Sequence, residues 1–215
     1  MPSPAPIVIL NGPPRSGKTS IVEAVQDHAD RPWMNLGVDV YARHVTPPYW
    51  QPGIGLRPGE DRPELQALIP TFYAALYESI AAHSRLGLAV VADLGHHVAE
   101  PAGLAILKDC ARRIAGLPVL FVGVHAPLDI IMDRRRASAA AGGPYVASAE
   151  GEPAPPPVVR WQEATQADGL FDMEIDTSLT SAADAAELIA ERLQNPQDGP
   201  TAFERLAPDV DVEPG

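Results

Sequence analysis

Residues 12–19 read Gly12-Pro13-Pro14-Arg15-Ser16-Gly17-Lys18-Thr19, directly after the short apolar run Ile7–Leu10. This is the pattern G-x-x-x-x-G-K-[ST] between a predicted strand and a predicted helix, the context of a phosphate-binding loop. Backbone N–H groups of such a loop surround phosphate oxygens, and the positive end of the following helix adds to the attraction.

The pattern predicts that residues 12–19 bind ATP. Lys18 is expected to reach the β- and γ-phosphates, and Thr19 to offer its hydroxyl to Mg²⁺. The alternative is an ordinary glycine-rich turn between a strand and a helix.

Composition sets the broad class of the protein. The chain has 215 residues, 46% of them apolar, which favours one domain over residues 1–195 and a loosely held, acidic, proline-containing tail over residues 196–215. The net charge of −12 repels nucleic acid backbones, so we expect no DNA or RNA partner. The single cysteine, Cys110, excludes an intrachain disulfide and indicates a reducing compartment. Since neither a signal peptide nor a membrane segment is recognisable, we expect a cytoplasmic protein.

Apolar runs alternate with helical patterns, which predicts an α/β fold with a doubly wound parallel sheet of five strands. The predicted strands are Ile7–Asn11, Trp33–Val38, Leu88–Ala92, Pro118–Val124 and Met173–Asp176. The predicted helices are Gly17–His28, Pro63–Arg85, Leu104–Ala115, Leu128–Ala139 and Ala182–Gln194. We interpret the proline-rich residues 47–63 as a loop, and residues 137–159 as a mobile insertion within a lid of about residues 134–165.

Acidic residues follow two of the predicted strands. Ligands of an open parallel sheet bind beyond the carboxyl ends of its strands, so Asp39 is expected at the same edge as Lys18. Its carboxylate can there accept a proton from a hydroxyl in line with the γ-phosphate. Asp93 follows four apolar residues, which predicts a carboxylate near Mg²⁺. Helix capping is the alternative for both carboxylates.

Basic residues flank the predicted insertion. Arg134, Arg135 and Arg136 precede it, and Arg160 follows it. A basic helix leading into a lid supplies arginines that close on a triphosphate, so we expect one or two of these four to act there. We favour Arg134 and Arg136 for catalysis and Arg160 for nucleotide binding, with a solvated charged face as the alternative.

Aromatic and histidine side chains are candidates for the wall of an acceptor pocket. The run Pro47-Pro48-Tyr49-Trp50 is the best of them. Aromatic residues at helical spacing are more often core, and these are Phe72, Tyr73 and Tyr77. His96 and His97 closely follow the third strand and can line the pocket. We do not predict a metal site there, because the nearby sequence has no third ligand at suitable spacing.

These pieces together resemble the chloramphenicol phosphotransferase family of P-loop small-molecule kinases. Besides the phosphate loop, the matching stretches are Gly37-Val38-Asp39, Val90-Val91-Ala92-Asp93, Val119–Val124, Arg134 and Phe171-Asp172-Met173-Glu174-Ile175-Asp176-Thr177-Ser178. They span about residues 6–194. The loop is generic, whereas the second and last stretches are much more particular.

The resemblance implies an ATP-dependent O-phosphotransferase with the doubly wound P-loop kinase fold. It makes Asp39 the base that activates the acceptor hydroxyl and residues 12–19 the site of ATP and Mg²⁺, and it puts Arg134 on the helix leading into the lid. The chain departs from the family in the lid, where residues 137–143 replace the usual Arg-Gly-Asp-Arg run, and at Gln166, where relatives often have a histidine. Since the segment after Asp39 also differs, the resemblance implies the reaction type rather than the acceptor.

The sequence therefore predicts transfer of the γ-phosphoryl group of ATP to a hydroxyl of a small molecule, either antibiotic-like or a metabolite. Two alternatives stay open. One is a kinase of another metabolite class, such as a nucleotide, a sugar nucleotide or a shikimate-like acid. The other is a nucleotide-binding module without catalysis.

Overall fold

Five parallel strands form one sheet in the computed structural model of the chain, which describes residues 2–28, 31–47, 63–142, 148 and 151–207. The strands are β1 (Ile7–Asn11), β2 (Trp33–Asn35), β3 (Ala89–Leu94), β4 (Val119–His125) and β5 (Met173–Asp176). Every pairing is parallel, in the order β2-β3-β1-β4-β5. The predicted fold class is confirmed.

The strand order opens a crevice between β1 and β3. The chain leaves β1 toward β2 on one side of the sheet and leaves β3 toward β4 on the other. Because the two connections diverge, the carboxyl ends of β1 and β3 are not covered by either of them. Asn11 pairs with Leu94 at this edge, so the phosphate loop and the segment after β3 begin side by side.

Helices cover both faces of the sheet. Helices α1 (Lys18–His28) and α8 (Ala182–Gln194) pack on one face, and α4 (Ile69–Arg85), α5 (Pro101–Arg113) and α9 (Ala202–Leu206) pack on the other. The remaining helices are α2 (Val38–Val45), α3 (Pro63–Gln66), α6 (Leu128–Ala140) and α7 (Pro156–Ala164). Side chains alternate along β1, so this strand contributes to the apolar core on each face of the sheet. Val8 and Leu10 face α1, and Ile7 and Ile9 face α4.

Pro70 explains why the helix predicted from Pro63 to Arg85 is two helices. A turn at residues 67–68 separates α3 from α4, and Pro70 lies in the first turn of α4. A proline in a helix interior would remove a hydrogen bond and clash with the preceding turn, whereas the first turn tolerates it. The first helix ends at His28, as predicted, and residues 48–62 of the predicted loop lie outside the described residues.

The second strand is shorter than predicted. It ends at Asn35 rather than Val38, and the Asn35 side chain accepts a hydrogen bond from the Gly37 N–H at 3.0 Å. This local hydrogen bond turns the chain out of the sheet, in the way that asparagine side chains favour turns. Helix α2 then begins at Val38, so Asp39 lies on a helix that the sequence pattern did not predict.

The predicted lid insertion is also shorter than expected. Helix α6 continues to Ala140, and α7 begins at Pro156 within the expected insertion. The three consecutive prolines at residues 155–157 favour a helix start, because the first turn needs no N–H donors. Residues 143–147 and 149–150 lie outside the described residues.

The boundary expected at residue 195 is wrong, since part of the predicted tail belongs to the core. Helix α9 buries Ala202, Phe203 and Leu206 against the sheet face that α4 and α5 cover. Thr201 and Glu204 form a capping box that starts this helix. Residues 208–215 lie outside the described residues. Within the described ranges, no helix combines the length and apolar character that crossing a bilayer requires.

Candidate active site

A cavity of about 610 Å³ opens at the carboxyl ends of β1 and β3. Its walls come from the phosphate loop, from α2, α4, α6 and α7, and from the segment that follows β5. A pocket at the point where the strand connections diverge is the usual ligand site of a doubly wound sheet. The residues predicted to be functional can therefore be located relative to this cavity.

The phosphate loop has the backbone conformation that its glycines allow. Gly17 has φ of +99°, and a Cβ on Gly12 would lie 2.0 Å from the Val124 carbonyl oxygen, so only glycine fits at either position. Arg15 also has a positive φ, of +70°, which is uncommon for a residue with a side chain. Lys18 folds back over the loop and donates to the carbonyl oxygens of Gly12 at 2.7 Å and Pro13 at 2.9 Å.

Ser16 lies at the bottom of the loop. It is fully buried, and its Oγ has no hydrogen-bond partner among the described residues. A buried hydroxyl without a partner is costly and is often completed by a ligand. The chemistry of the loop thus fits the phosphates of a nucleotide.

Thr19 and Asp93 form the second part of the site. The Thr19 hydroxyl donates to Asp93 Oδ2 at 2.9 Å, which joins the start of α1 to the carboxyl end of β3. Asp93 is 7% exposed, and a Cβ on Gly37 would lie 1.8 Å from its Oδ1. Hydroxyl and carboxylate oxygens are the ligands that Mg²⁺ prefers, so the donor set fits this cation.

Asp39 lines the same cavity. It is exposed, in the first turn of α2, and the helix start at Gly37 has no side-chain cap. The structure therefore brings Lys18, Thr19, Asp93 and Asp39 to one cavity, although Asp39 arrives there on a helix rather than at the end of a strand.

The four arginines around the predicted lid occupy different positions. Arg134 lines the cavity, whereas Arg135 is buried behind it. Arg136 points away and forms an ion pair with Asp133 in the same helix. Arg160 is exposed on α7, and neither it nor Arg136 belongs to the cavity lining among the described residues. Of the residues predicted to contact the triphosphate, Arg136 and Arg160 are thus not at the cavity.

Thr177 is a site residue that reasoning from strand ends missed. It follows β5 directly, and its hydroxyl donates to the Ser16 carbonyl oxygen at 2.6 Å. Arg134 donates to the Thr177 hydroxyl and to the Thr177 carbonyl oxygen, both at 2.8 Å, and to the Arg15 carbonyl oxygen at 3.3 Å. The sequence could have indicated Thr177, because the residue after every parallel strand lies at the ligand edge of the sheet.

His96 and His97 have different surroundings. His96 is buried, stacks beside Tyr73 and shares a hydrogen bond of 2.9 Å between its Nε2 and the Tyr77 hydroxyl. Burial, with a smaller contribution from the charge of His97, lowers the pKa of His96 from 6.5 to about 3, so this ring is neutral. His97 lines the cavity, and its Nδ1 lies 3.4 Å from a carboxylate oxygen of Glu100.

Part of the cavity lining is aromatic. Tyr73 on α4 and Trp161 on α7 line the cavity together with His97. Tyr77 is fully buried in the core. Trp161 was not predicted to line an acceptor pocket, because residues 134–165 were interpreted as a lid. The candidate wall at Tyr49 and Trp50 lies outside the described residues.

His125, which follows the fourth predicted strand, does not line this cavity. It lies 3.9 Å from a Glu174 carboxylate oxygen, beside a separate cleft of about 120 Å³. The end of β4 contributes to the main site only indirectly, because the His125 carbonyl oxygen accepts from the Thr177 N–H at 3.0 Å.

Comparison with solved structures identifies the same fold in known kinases. An APS kinase of Mycobacterium tuberculosis, solved with AMPPNP and APS, has a TM-score of 0.58 at 15% identity, over 90% of this chain and 99% of that chain. A shikimate kinase from Acinetobacter baumannii, solved with shikimate, has a TM-score of 0.52 at 14% identity, over 91% of this chain and 96% of that chain. At these identities the likeness is one of fold.

Comparison of sequences identifies the family. A protein of Mycobacterium tuberculosis strain ATCC 25618 / H37Rv, named as a candidate O-phosphotransferase, is 27% identical over 216 residues, which cover 93% of this chain and 87% of that protein. The family described as chloramphenicol phosphotransferase-like protein matches residues 5–194. The chain therefore belongs to the chloramphenicol phosphotransferase-like family and is a small-molecule kinase with the P-loop kinase fold.

Proposed function

We propose that this protein transfers the γ-phosphoryl group of ATP to a hydroxyl of a small molecule. One observation carries the proposal: Lys18, the Thr19–Asp93 pair and Asp39 line a single cavity. Phosphoryl transfer needs a nucleotide site and an acceptor site close enough for the hydroxyl oxygen to lie in line with the γ-phosphorus. The cavity, of about 610 Å³, is within the size range of small-molecule and cofactor sites.

The phosphate loop binds the nucleotide in this proposal. Its N–H groups and the start of α1 hold phosphate oxygens, and the unpaired Ser16 hydroxyl at its base gains a partner there. The Lys18 ammonium leaves the carbonyl oxygens of Gly12 and Pro13 for the β- and γ-phosphates. That exchange replaces two hydrogen bonds to neutral carbonyl oxygens by stronger ones to charged oxygens.

Thr19 and Asp93 hold Mg²⁺ in this proposal. The cation, when bound, neutralises charge on the β- and γ-phosphate oxygens. Asp93 is nearly buried, and the Thr19 hydroxyl donates to its Oδ2 at 2.9 Å. The protein thus orients the carboxylate in advance of binding, which lowers the cost of ordering it.

Asp39 serves as the base in this proposal. Its carboxylate accepts the proton of the acceptor hydroxyl as the hydroxyl oxygen bonds to the γ-phosphorus and the bond to the bridging β–γ oxygen breaks, releasing ADP. Its exposed position in the first turn of α2 suits a base that must meet a ligand. Arg134 is the arginine that contributes positive charge to the cavity in this proposal, because Arg136 and Arg160 do not line it.

The acceptor lies against Tyr73, His97 and Trp161 in this proposal. These rings offer flat, partly apolar surfaces with polar edges, which suit a neutral hydroxylated molecule. The family description and the name of the mycobacterial relative support an O-phosphotransferase reaction, with an antibiotic-like molecule or a metabolite as the acceptor.

A screen of acceptors tests the proposal. The purified protein is incubated with Mg·ATP and panels of hydroxylated antibiotics, neutral metabolites, nucleotides and shikimate-like acids, and products are identified by mass spectrometry. We expect one neutral alcohol to gain a phosphoryl group as ADP forms, with Lys18→Met as the inactive control. Transfer only to nucleotides or acids would contradict the acceptor class, and ATP binding without transfer to any panel member would contradict catalysis.

A further inference from the structure

Thr177 connects three parts of the molecule through its hydroxyl and its backbone. Its Oγ1 donates to the Ser16 carbonyl oxygen of the phosphate loop at 2.6 Å. The same oxygen accepts from Arg134 of α6 at 2.8 Å, and the Thr177 N–H donates to the His125 carbonyl oxygen of β4 at 3.0 Å. No other role has been assigned to this residue in the proposed reaction.

The contact with Ser16 orients one peptide group of the loop. In a planar trans peptide the C=O and the next N–H point in opposite directions. Because Thr177 holds the Ser16 carbonyl oxygen, the Gly17 N–H points away from Thr177. In a phosphate loop this N–H belongs to the set that surrounds the phosphate oxygens.

Steric contact with the same threonine restricts this peptide further. A Cβ on Gly17 would lie 3.2 to 3.3 Å from Thr177 side-chain atoms, so the glycine packs directly against the threonine. The neighbouring Arg15 has φ of +70°, a conformation that needs support from its surroundings. Arg134 supplies part of that support, since it donates to the Arg15 carbonyl oxygen while it holds Thr177.

We propose that Thr177 is a positioning residue for nucleotide binding, which fixes the peptide between Ser16 and Gly17 and links the phosphate loop through Arg134 to the lid helix α6. Arg134 thereby acts on the loop through Thr177, in addition to lining the cavity. The inference rests on the proposed function, because it assumes that the loop binds ATP.

The test measures binding of the ATP analogue AMPPNP with Mg²⁺ by calorimetry, together with thermal unfolding. Thr177→Val keeps the shape of the side chain and removes the hydroxyl, so we expect its Kd to rise roughly 5- to 10-fold, the equivalent of one lost hydrogen bond. Thr177→Ser keeps the hydroxyl and should bind within about twofold of the wild type. Should the valine variant not fold, Thr177→Ala removes the hydroxyl without adding bulk and carries the same expectation.

Thr201→Val is the matched control, since it removes a threonine hydroxyl that caps α9 far from the cavity. We expect it to lower the melting temperature and to leave the Kd of AMPPNP unchanged. A Kd of the hydroxyl-free Thr177 variants equal to that of the wild type would overturn the inference. So would equal weakening in the serine and valine variants, because the methyl group and not the hydroxyl would then be required. A wild-type protein that binds no AMPPNP would overturn the proposed function, and the inference with it.

Discussion

Asn11 and His96 hold each other through reciprocal hydrogen bonds. The His96 N–H donates to Asn11 Oδ1 at 2.6 Å, and Asn11 Nδ2 donates to the His96 carbonyl oxygen at 3.2 Å and to the Thr165 carbonyl oxygen at 3.2 Å. Asn11 is fully buried at the end of β1. It therefore fixes the segment after β3, and with it the neighbouring His97 on the cavity wall.

Replacing Asn11 by leucine should destabilise the fold. The change leaves three buried backbone groups of His96 and Thr165 without their partner, and we expect the free energy of unfolding in urea to fall by about 2–3 kcal/mol. Asn195→Ala is the control, because the Asn195 side chain donates to the Glu191 carbonyl oxygen at an exposed helix end, and its removal should change stability by under about 0.5 kcal/mol. Equal stability of the two variants would show that the buried bonds contribute little.

Asp39→Asn should impair turnover without impairing nucleotide binding. The amide keeps the shape of the side chain but cannot accept the hydroxyl proton, so we expect kcat to fall about 100-fold or more while the Kd of Mg·ATP stays within about twofold. Asp129→Asn is the matched control, since Asp129 is also an exposed aspartate in the first turn of a helix. If the Asp39 variant keeps its turnover within a few fold, Asp39 is not the base.

Asp93→Asn should change the dependence on Mg²⁺. The amide still accepts from Thr19 but loses the negative charge, so we expect the Mg²⁺ concentration for half-maximal activity to rise at least about tenfold. The assay is a magnesium titration at fixed ATP. Thr19→Ser, which retains the hydroxyl, should behave nearly as the wild type, and an unchanged titration in the Asp93 variant would argue against a metal role.

The buried His96 should make stability depend on pH. Burial holds its pKa in the folded chain at about 3, whereas the unfolded chain has the ordinary value of 6.5. Between these values the unfolded state binds the additional proton, so the unfolding free energy is highest above pH 6.5 and falls as the pH drops toward 3. In the middle of that window the slope from this residue approaches about 1.4 kcal/mol per pH unit.

Urea denaturation of the wild type and of His96→Gln between pH 7.5 and pH 4.5 measures this slope. We expect the glutamine variant to lose stability less steeply on acidification, because it carries no group that titrates there. Identical slopes in the two proteins would contradict a neutral, buried His96.

Phe203→Ala should reveal that α9 belongs to the domain. Phe203 packs edge-on against Phe121 at a ring-centre distance of 5.0 Å. Asp172 joins the start of α9 to β4, because its carboxylate accepts from the Ala202 N–H at 2.6 Å and from the Phe121 N–H at 2.8 Å. Truncating this ring leaves a cavity, so we expect a loss of about 3–4 kcal/mol in the free energy of unfolding. Leu86→Ala, at a site 70% exposed, should cost under about 0.5 kcal/mol. Similar small losses in both would mean that α9 adds little to the core.

Local sequence patterns were sufficient to predict the central strands of the sheet and the phosphate loop. The strands β1, β3 and β4 are continuous apolar runs that are buried on both faces, and burial of that kind is visible in sequence. The loop pattern likewise specifies its own conformation, because Gly12 and Gly17 are required by their immediate surroundings.

Elements whose formation depends on distant partners were missed. Helix α9 is short and follows proline- and glycine-containing residues 195–201, and it is held by Asp172 and Phe121, which are far from it in sequence. Helix α7 stands among prolines and glycines that also suit a loop, yet its Val158 and Ala164 are buried by other elements. Intrinsic propensity is a weak guide to such segments, because packing supplies most of their stability.

By itself, the sequence determined the kind of fold, the phosphate loop and the two aspartates at the ligand edge, since strand ends and glycine positions are local properties that a chain carries in its order of residues. Only the tertiary structure decided which arginine lies at the cavity, that Trp161 and His97 line the same cavity as Tyr73, and that Thr177 contacts the phosphate loop. These relationships join residues that are distant in the chain, and they exist only once the packing of both sheet faces has brought the carboxyl ends of the strands together.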